Sequence, residues 1–145
     1  MKFTVEAVSI AAEKGIQKHE VPEIVCRENF GIEGDAHAGA WHRQVSLLAG
    51  EAIEAMKAKG LDLAPGAFGE NIVTRGVDWS TARVGETIRI GDVELEITQI
   101  GKECHSRCAI FYAAGDCIMP RQGIFTRVLK GGTIHAQSCG DYRIG

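Results

Sequence analysis

The stretch Val84–Thr98, VGETIRIGDVELEIT, constrains the fold more than any other part of the chain. Ile88 and Ile90 alternate with polar residues, as do Val93, Leu95 and Ile97, and Gly91-Asp92 separates the two runs. Period-two alternation places the apolar side chains on one face of a pleated strand. A Gly-Asp pair between two such runs is a favoured two-residue hairpin turn. The second strand of this hairpin leads directly into a cysteine-bearing segment, so a rigid strand would deliver that segment to a defined place.

The remaining elements are short. Phe3, Val5 and Ala7 alternate with Thr4 and Glu6, which predicts a half-buried strand. Val21–Val25 reads as a second short strand, with Pro22 favouring a sheet edge. Val45–Leu48 is a short apolar run. Ala49–Lys59 is the helix candidate, with Leu48, Ala52, Ile53 and Met56 near 3.6-residue spacing and Gly60 as its stop. Ile72–Thr74 follows the Gly-rich loop Pro65–Asn71. Gly123–Leu129 reads as a strand or helix, and Thr133–Gly145 as a closing strand with a ragged tail. Ala109–Ala114 reads as a short helix or an irregular apolar loop. Many short strands joined by some of the 18 glycines favour a mainly β fold, a closed or partly open β-barrel with a few short helices, over βαβ units. One domain spanning 1–145 is expected.

Composition excludes several function classes. A net charge of −3 argues against a general nucleic-acid binder. No run of about 18 apolar residues predicts a membrane helix. The start MKFTVEAVSIAAEKG lacks the basic-then-apolar pattern of a signal peptide, so a cytoplasmic location is expected. Five cysteines without an export signal make a disulfide framework a poor reading.

Three of those cysteines, Cys104, Cys108 and Cys117, fall in Gly101–Gly132. The same segment carries Lys102, Arg107, Arg121, Arg127 and Lys130 against only Glu103 and Asp116, an excess of three positive charges in an acidic chain. Cationic neighbours stabilise a thiolate and attract anions. Zinc is one reading of Cys104, His105, Cys108 and Cys117. Structural zinc usually takes two closely spaced ligand pairs, and here there is one such pair and then a distant Cys. A reactive or metal-binding thiolate beside Arg107 fits the pattern better, with Arg121 and Lys102 as further cations. Upstream, the loop Phe30–Gln44 has three glycines and two histidines. Its His37, His42, Asp35 and Arg43 either line a pocket or sit solvated on a surface turn.

The ordered set Gly31-Ile-Glu-Gly-Asp-Ala-His, Phe68-Gly-Glu-Asn-Ile-Val, the Val84 hairpin and Cys104-His-Ser-Arg-Cys108 resembles the MOSC family, the molybdenum cofactor sulfurase C-terminal domain. Cys117-Ile-Met-Pro-Arg-x-Gly-Ile-Phe is similar to small stand-alone bacterial members. The likeness runs from about Gly31 to Gly132.

The resemblance implies a barrel that binds molybdenum or tungsten cofactor, or carries sulfur for it. The Ser-x-Cys at the metal of the amidoxime-reducing branch is similar to Ser106-Arg107-Cys108. It therefore implies Cys108 as reactive thiolate and metal ligand, with Cys104 and Cys117 as further thiols of open role. Ser106, Arg107, Arg121, Asn71, His37 and Arg43 are the expected contacts to an anionic molybdopterin-type ligand. Where that branch carries an Arg before Asn-Ile-Val, this chain has Gly69-Glu70. Expected partners are a cysteine desulfurase as sulfur donor or a molybdoenzyme as acceptor. A homodimer is a further expectation, and no pyridoxal phosphate is expected on the chain itself. A small molybdenum-dependent reductase of N-oxygenated compounds and a zinc-stabilised structural domain are the alternatives. The motifs leave open whether the chain is an enzyme.

Overall fold

The computed structural model describes residues 1–14, 16–60, 62–101 and 123–142. Eleven strands and one helix occur among them: β1 (Lys2–Ile10), β2 (His19–Val21), β3 (Glu23–Arg27), β4 (Gly31–Ile32), β5 (Val45–Ala49), α1 (Gly50–Lys57), β6 (Ile72–Arg75), β7 (Thr87–Ile90), β8 (Val93–Ile100), β9 (Ile124–Lys130), β10 (Gly132–His135) and β11 (Cys139–Tyr142).

The main sheet runs β11-β7-β8-β9-β5-β6-β1-β2, and β11 also pairs with β1. That last pairing closes a seven-stranded barrel, with β2 appended to β1. An odd ring cannot alternate strand direction all the way round, so one neighbouring pair has to be parallel. Here it is β5 and β6, joined in register Leu47↔Ile72 to Ala49↔Thr74. A parallel pair needs a long crossover, and α1 occupies that crossover. Ile53 and Met56 are its buried residues besides Gly50, each contributing about 1.5–3 kcal/mol by burial. Gly60, at φ +90, lies just beyond the helix end, where a left-handed backbone favours glycine.

The β7–β8 hairpin forms as its alternation predicts, with Ile90 opposite Val93 across Gly91-Asp92. Ile88, Ile90, Val93, Leu95 and Ile97 all join the barrel core. The next residues along β5, β6 and β9 divide between two cores: Leu47, Ile72 and Ile124 face the barrel interior, whereas Leu48, Val73 and Phe125 join a second cluster with Ile53 and Met56. That second cluster seats α1 against the barrel's outer surface.

Three local expectations change. Phe3, Val5 and Ala7 do not share a face, because the β1–β6 register slips between Val5 and Ala7. The slip turns Ala7 to the helix-side cluster and Val8 to the barrel core. Val21–Val25 is not one strand. It is divided at Pro22, with β2 on the barrel and β3 in a separate sheet, β10-β3-β4. Proline lacks the N–H that a continuous ladder needs there. Nor is the C-terminal stretch a single strand, since β10 and β11 belong to different sheets. Ile24, Cys26, Ile32 and Ile134 of the small sheet complete the barrel core. The expected element at Ala109–Ala114 lies outside the described residues.

Candidate functional site

The cysteine-bearing segment is rooted where β8 ends and β9 begins. The Gly101 N–H donates to the Gly123 carbonyl at 2.7 Å, which holds the two ends of residues 102–122 together. The Gln99 side-chain amide donates to the Gly101 carbonyl at 2.8 Å, and its oxygen meets His42 Nε2 at 2.9 Å. The Thr98 hydroxyl donates to the His42 carbonyl. The His37–Arg43 loop is therefore fastened beside the roots of the cysteine segment, although the two are more than fifty residues apart in sequence.

That loop is organised from beneath by Asp35, which is buried. Its Oδ1 accepts from the Lys18 ammonium at 2.6 Å and from the Ala11 N–H at 3.2 Å. Its Oδ2 accepts the His37 N–H at 3.2 Å, a two-residue Asx turn. Lys18 is itself only 4% exposed, so the ion pair lies under the loop. The Trp41 indole N–H donates to the His37 carbonyl at 2.7 Å. The His37 and Trp41 rings lie parallel within 9°, with centroids 6.3 Å apart. Arg43 sets its guanidinium carbon 4.7 Å from the Trp41 ring centre and 5.8 Å from that of Phe125. Lys14 Nζ lies 5.3 Å from the same indole. The result is a basic-aromatic cluster of Lys14, His37, Trp41, His42 and Arg43. Arg43 Nε is buried with no hydrogen-bond partner among the described residues, a donor that an anion would satisfy.

Two concavities flank the segment's roots. One, of about 450 Å3, is lined by Trp41, His42, Asn29, Thr98 and Arg127. The other, of about 930 Å3, is lined by α1 residues, Val77, Trp79, Ile100 and Ile124. Trp79 is fixed by an indole N–H bond to the Thr74 hydroxyl at 3.0 Å.

The second Gly-rich loop forms a support behind the cluster. Asn71 is 1% exposed. Its side-chain oxygen accepts the Ser46 N–H at 3.0 Å and the Ser46 hydroxyl at 3.2 Å, and its amide donates to the Ser9 carbonyl at 3.1 Å. One side chain thus ties β1, β5 and the start of β6 together. Glu70, also buried, accepts the Gly66 and Phe68 N–H groups at 2.8 and 3.1 Å. Burial raises its carboxyl above the ordinary value, opposed by those hydrogen bonds and by Lys18. Gly66, at φ +92, has no room for a side chain, because a Cβ would overlap the Lys18 carbonyl. The Lys18 N–H donates to the Gly66 carbonyl at 3.0 Å, so this loop and Lys18 brace each other.

Of the expected site residues, His37 and Arg43 come together on the rim at Trp41, whereas Asn71 is a strut between β1, β5 and the start of β6. Ser106, Arg107, Arg121, Cys104, Cys108 and Cys117 lie outside the described residues. Among the described residues no group of three or more His, Cys, Asp or Glu is placed to hold a metal. Cys26 is buried, and burial pushes its thiol up to about 12, whereas Cys139 is exposed. Sequence reasoning missed Lys14, Lys18, Trp41 and Ser46. Trp41 lay inside the expected loop and signalled itself by its size. Nothing local marks Lys18, whose burial depends on Asp35, seventeen residues away.

A closed barrel with a crossover helix and a basic-aromatic rim defines the class of protein. The MOSC domain family model matches residues 34–138, and the chain belongs to that family. Solved structures agree in fold. YuaD from Bacillus subtilis superposes with a TM-score of 0.80 at 17% identity, covering 97% of this chain and 94% of that one. YiiM from Escherichia coli gives 0.66 at 22% identity, covering 100% of this chain and 71% of that one. YiiM from Geobacillus stearothermophilus gives 0.70 at 16% identity, covering 98% and 75%. No curated protein sequence matches. No helix among the described residues is long and apolar enough to cross a membrane.

Proposed function

We propose that the protein binds a molybdenum- or tungsten-cofactor-type ligand, or carries sulfur for it, with Cys108 as the thiolate that ligates metal or bears the sulfur. The observation that carries this reading is the placement of the Lys14–Trp41–Arg43 cluster beside the roots of the segment that contains Cys108. The anionic part of a molybdopterin fits the described residues. Arg43 has a buried donor without a partner among the described residues, Lys14 adds a second cation, and Trp41 offers a flat apolar surface. Cation–aromatic packing pre-orients Arg43, and its fork geometry suits phosphate oxygens. Bound cofactor would supply the redox or sulfur-accepting centre. The chain's residues would hold its charged end and present one soft ligand to its metal. The Lys18–Asp35 pair, braced by the Gly66–Glu70 loop, supports the His37 end of the rim.

The test is anaerobic purification after co-expression with cofactor synthesis, then metal analysis and mass spectrometry of wild type and Cys108→Ser. Metal with pterin, or an added sulfur atom on the wild type that is lost in Cys108→Ser, is the expected result. Neither on the wild type would overturn the reading.

A further inference from the structure

Alternation along β8 places Val93, Leu95 and Ile97 in the barrel core. One further step of two would send Gln99 there as well. It does not go there. Ile97 pairs with Thr126 and Gln99 with Phe125, so two residues of β8 span one step of β9, and Thr98 is the extra one. A bulge of this kind re-aims the side chains beyond it. Gln99 is half-buried, and its side-chain amide bonds to the Gly101 carbonyl and to the His42 ring. The Thr98 hydroxyl meets the His42 carbonyl. The bulge therefore holds His42 both by its backbone and by its ring.

The orientation of the amide settles which ring nitrogen carries a proton. A carbonyl oxygen only accepts, so the Gln99 group 2.8 Å from the Gly101 oxygen is the NH2. The Gln99 oxygen is then the atom 2.9 Å from His42 Nε2. An amide oxygen also only accepts, so Nε2 donates and is protonated. In the neutral ring Nδ1 is left bare. We propose that Gln99 is a positioning residue that fixes the His42 ring as an Nε2–H donor and ties it to the root of the cysteine segment. Nδ1 then remains as the ring's acceptor for a ligand group. His42 lines the concavity of about 450 Å3 together with Trp41, and the two rings meet edge to face with centroids 5.6 Å apart.

The functional consequence rests on the cofactor reading above: Arg43 and Lys14 would meet the anionic oxygens of the ligand, and His42 Nδ1 would accept from one of its N–H or O–H groups. The arrangement itself is measured by NMR on the apo protein, without any ligand. His42 Nε2 is expected to be protonated throughout the range from about pH 6 to 9, because the neutral Nε2–H ring and the imidazolium both carry that proton. The Gln99 side-chain amide is expected to be nearly as rigid as the backbone, with a 15N order parameter of about 0.8. A neutral His42 protonated on Nδ1, or a Gln99 order parameter below about 0.6, would overturn the proposal. His42→Ala removes one end of the bridge and is expected to loosen the Gln99 amide. Gln99→Leu removes both ends. In it the neutral His42 ring is expected to populate both tautomers, and the Gly101 amide to exchange about threefold to tenfold faster. Gln99→Glu returns the acceptor without the donor, so it is expected to restore the Nε2–H ring while Gly101 exchange stays fast. An unchanged His42 spectrum and unchanged Gly101 exchange in Gln99→Leu would show that Gln99 holds neither. Failure to find cofactor on the protein leaves these spectra unaffected, so the two ideas fail separately.

Discussion

Replacing Asn71 with Ala tests the strut that joins β1, β5 and the start of β6. The substitution strips a partner from two buried backbone groups, the Ser46 N–H and the Ser9 carbonyl. Each orphaned buried group costs about 1–3 kcal/mol. Partial relaxation brings the expected total to about 2–4 kcal/mol. For a chain of this size that corresponds to a melting temperature lower by roughly 5–15 °C. Urea unfolding followed by far-UV circular dichroism is the assay, with the midpoint moving and the slope constant. Asn71→Asp adds a signature of its own. One oxygen still accepts from Ser46, while the other faces the Ser9 carbonyl and bonds to it only when protonated. The folded-state pKa of this new carboxyl is therefore raised, and its deficit should widen as pH rises above the ordinary carboxylate range. A loss below about 0.5 kcal/mol for Asn71→Ala, the level of an ordinary surface change, would refute the strut.

Gly66→Ala should lower stability by about 2–4 kcal/mol in the same assay, because a positive φ and an overlap with the Lys18 backbone act together; wild-type stability would contradict the bracing. Glu70 has a raised folded-state pKa, so the folded form holds its proton more tightly than the unfolded one. Its contribution therefore declines as pH rises from about 4.3 through the folded value and is level above it; Glu70→Gln should remove that part of the slope in a pH series of unfolding midpoints. Cys26, with its thiol raised to about 12, should resist iodoacetamide in the native protein at pH 8 and react only in denaturant, as peptide mass spectrometry would show; rapid native labelling would contradict its burial.

Much of the barrel was legible because the strands that build it obey local rules. The β7–β8 hairpin follows from alternation around Gly91-Asp92, and α1 from the spacing of Ile53 and Met56. The misreadings share one cause: register and sheet membership are set by partners far along the chain. Nothing near Ala7 announces the slip against β6, and Pro22 marks an interruption without saying that β2 and β3 go to different sheets. At the site, glycines and histidines flagged the loop containing His37 and Arg43. The Lys18–Asp35 pair beneath it was illegible, since a lysine in a polar string reads as a solvated turn. Asn71 was found through a family motif, but only its three-way hydrogen bonding reveals that it acts on the backbone of β1 and β5.

The central claim is that the Trp41–Arg43 rim and the Cys108 segment form one site. Metal and pterin content, measured together on wild type, Arg43→Met and Cys108→Ser after anaerobic loading, tests it most directly. Methionine keeps the packing against Trp41 and Phe125 while removing the charge. The account predicts that both variants lose bound cofactor by at least about tenfold, equivalent to about 1.4 kcal/mol or more. Full occupancy in Arg43→Met alongside loss in Cys108→Ser would contradict it.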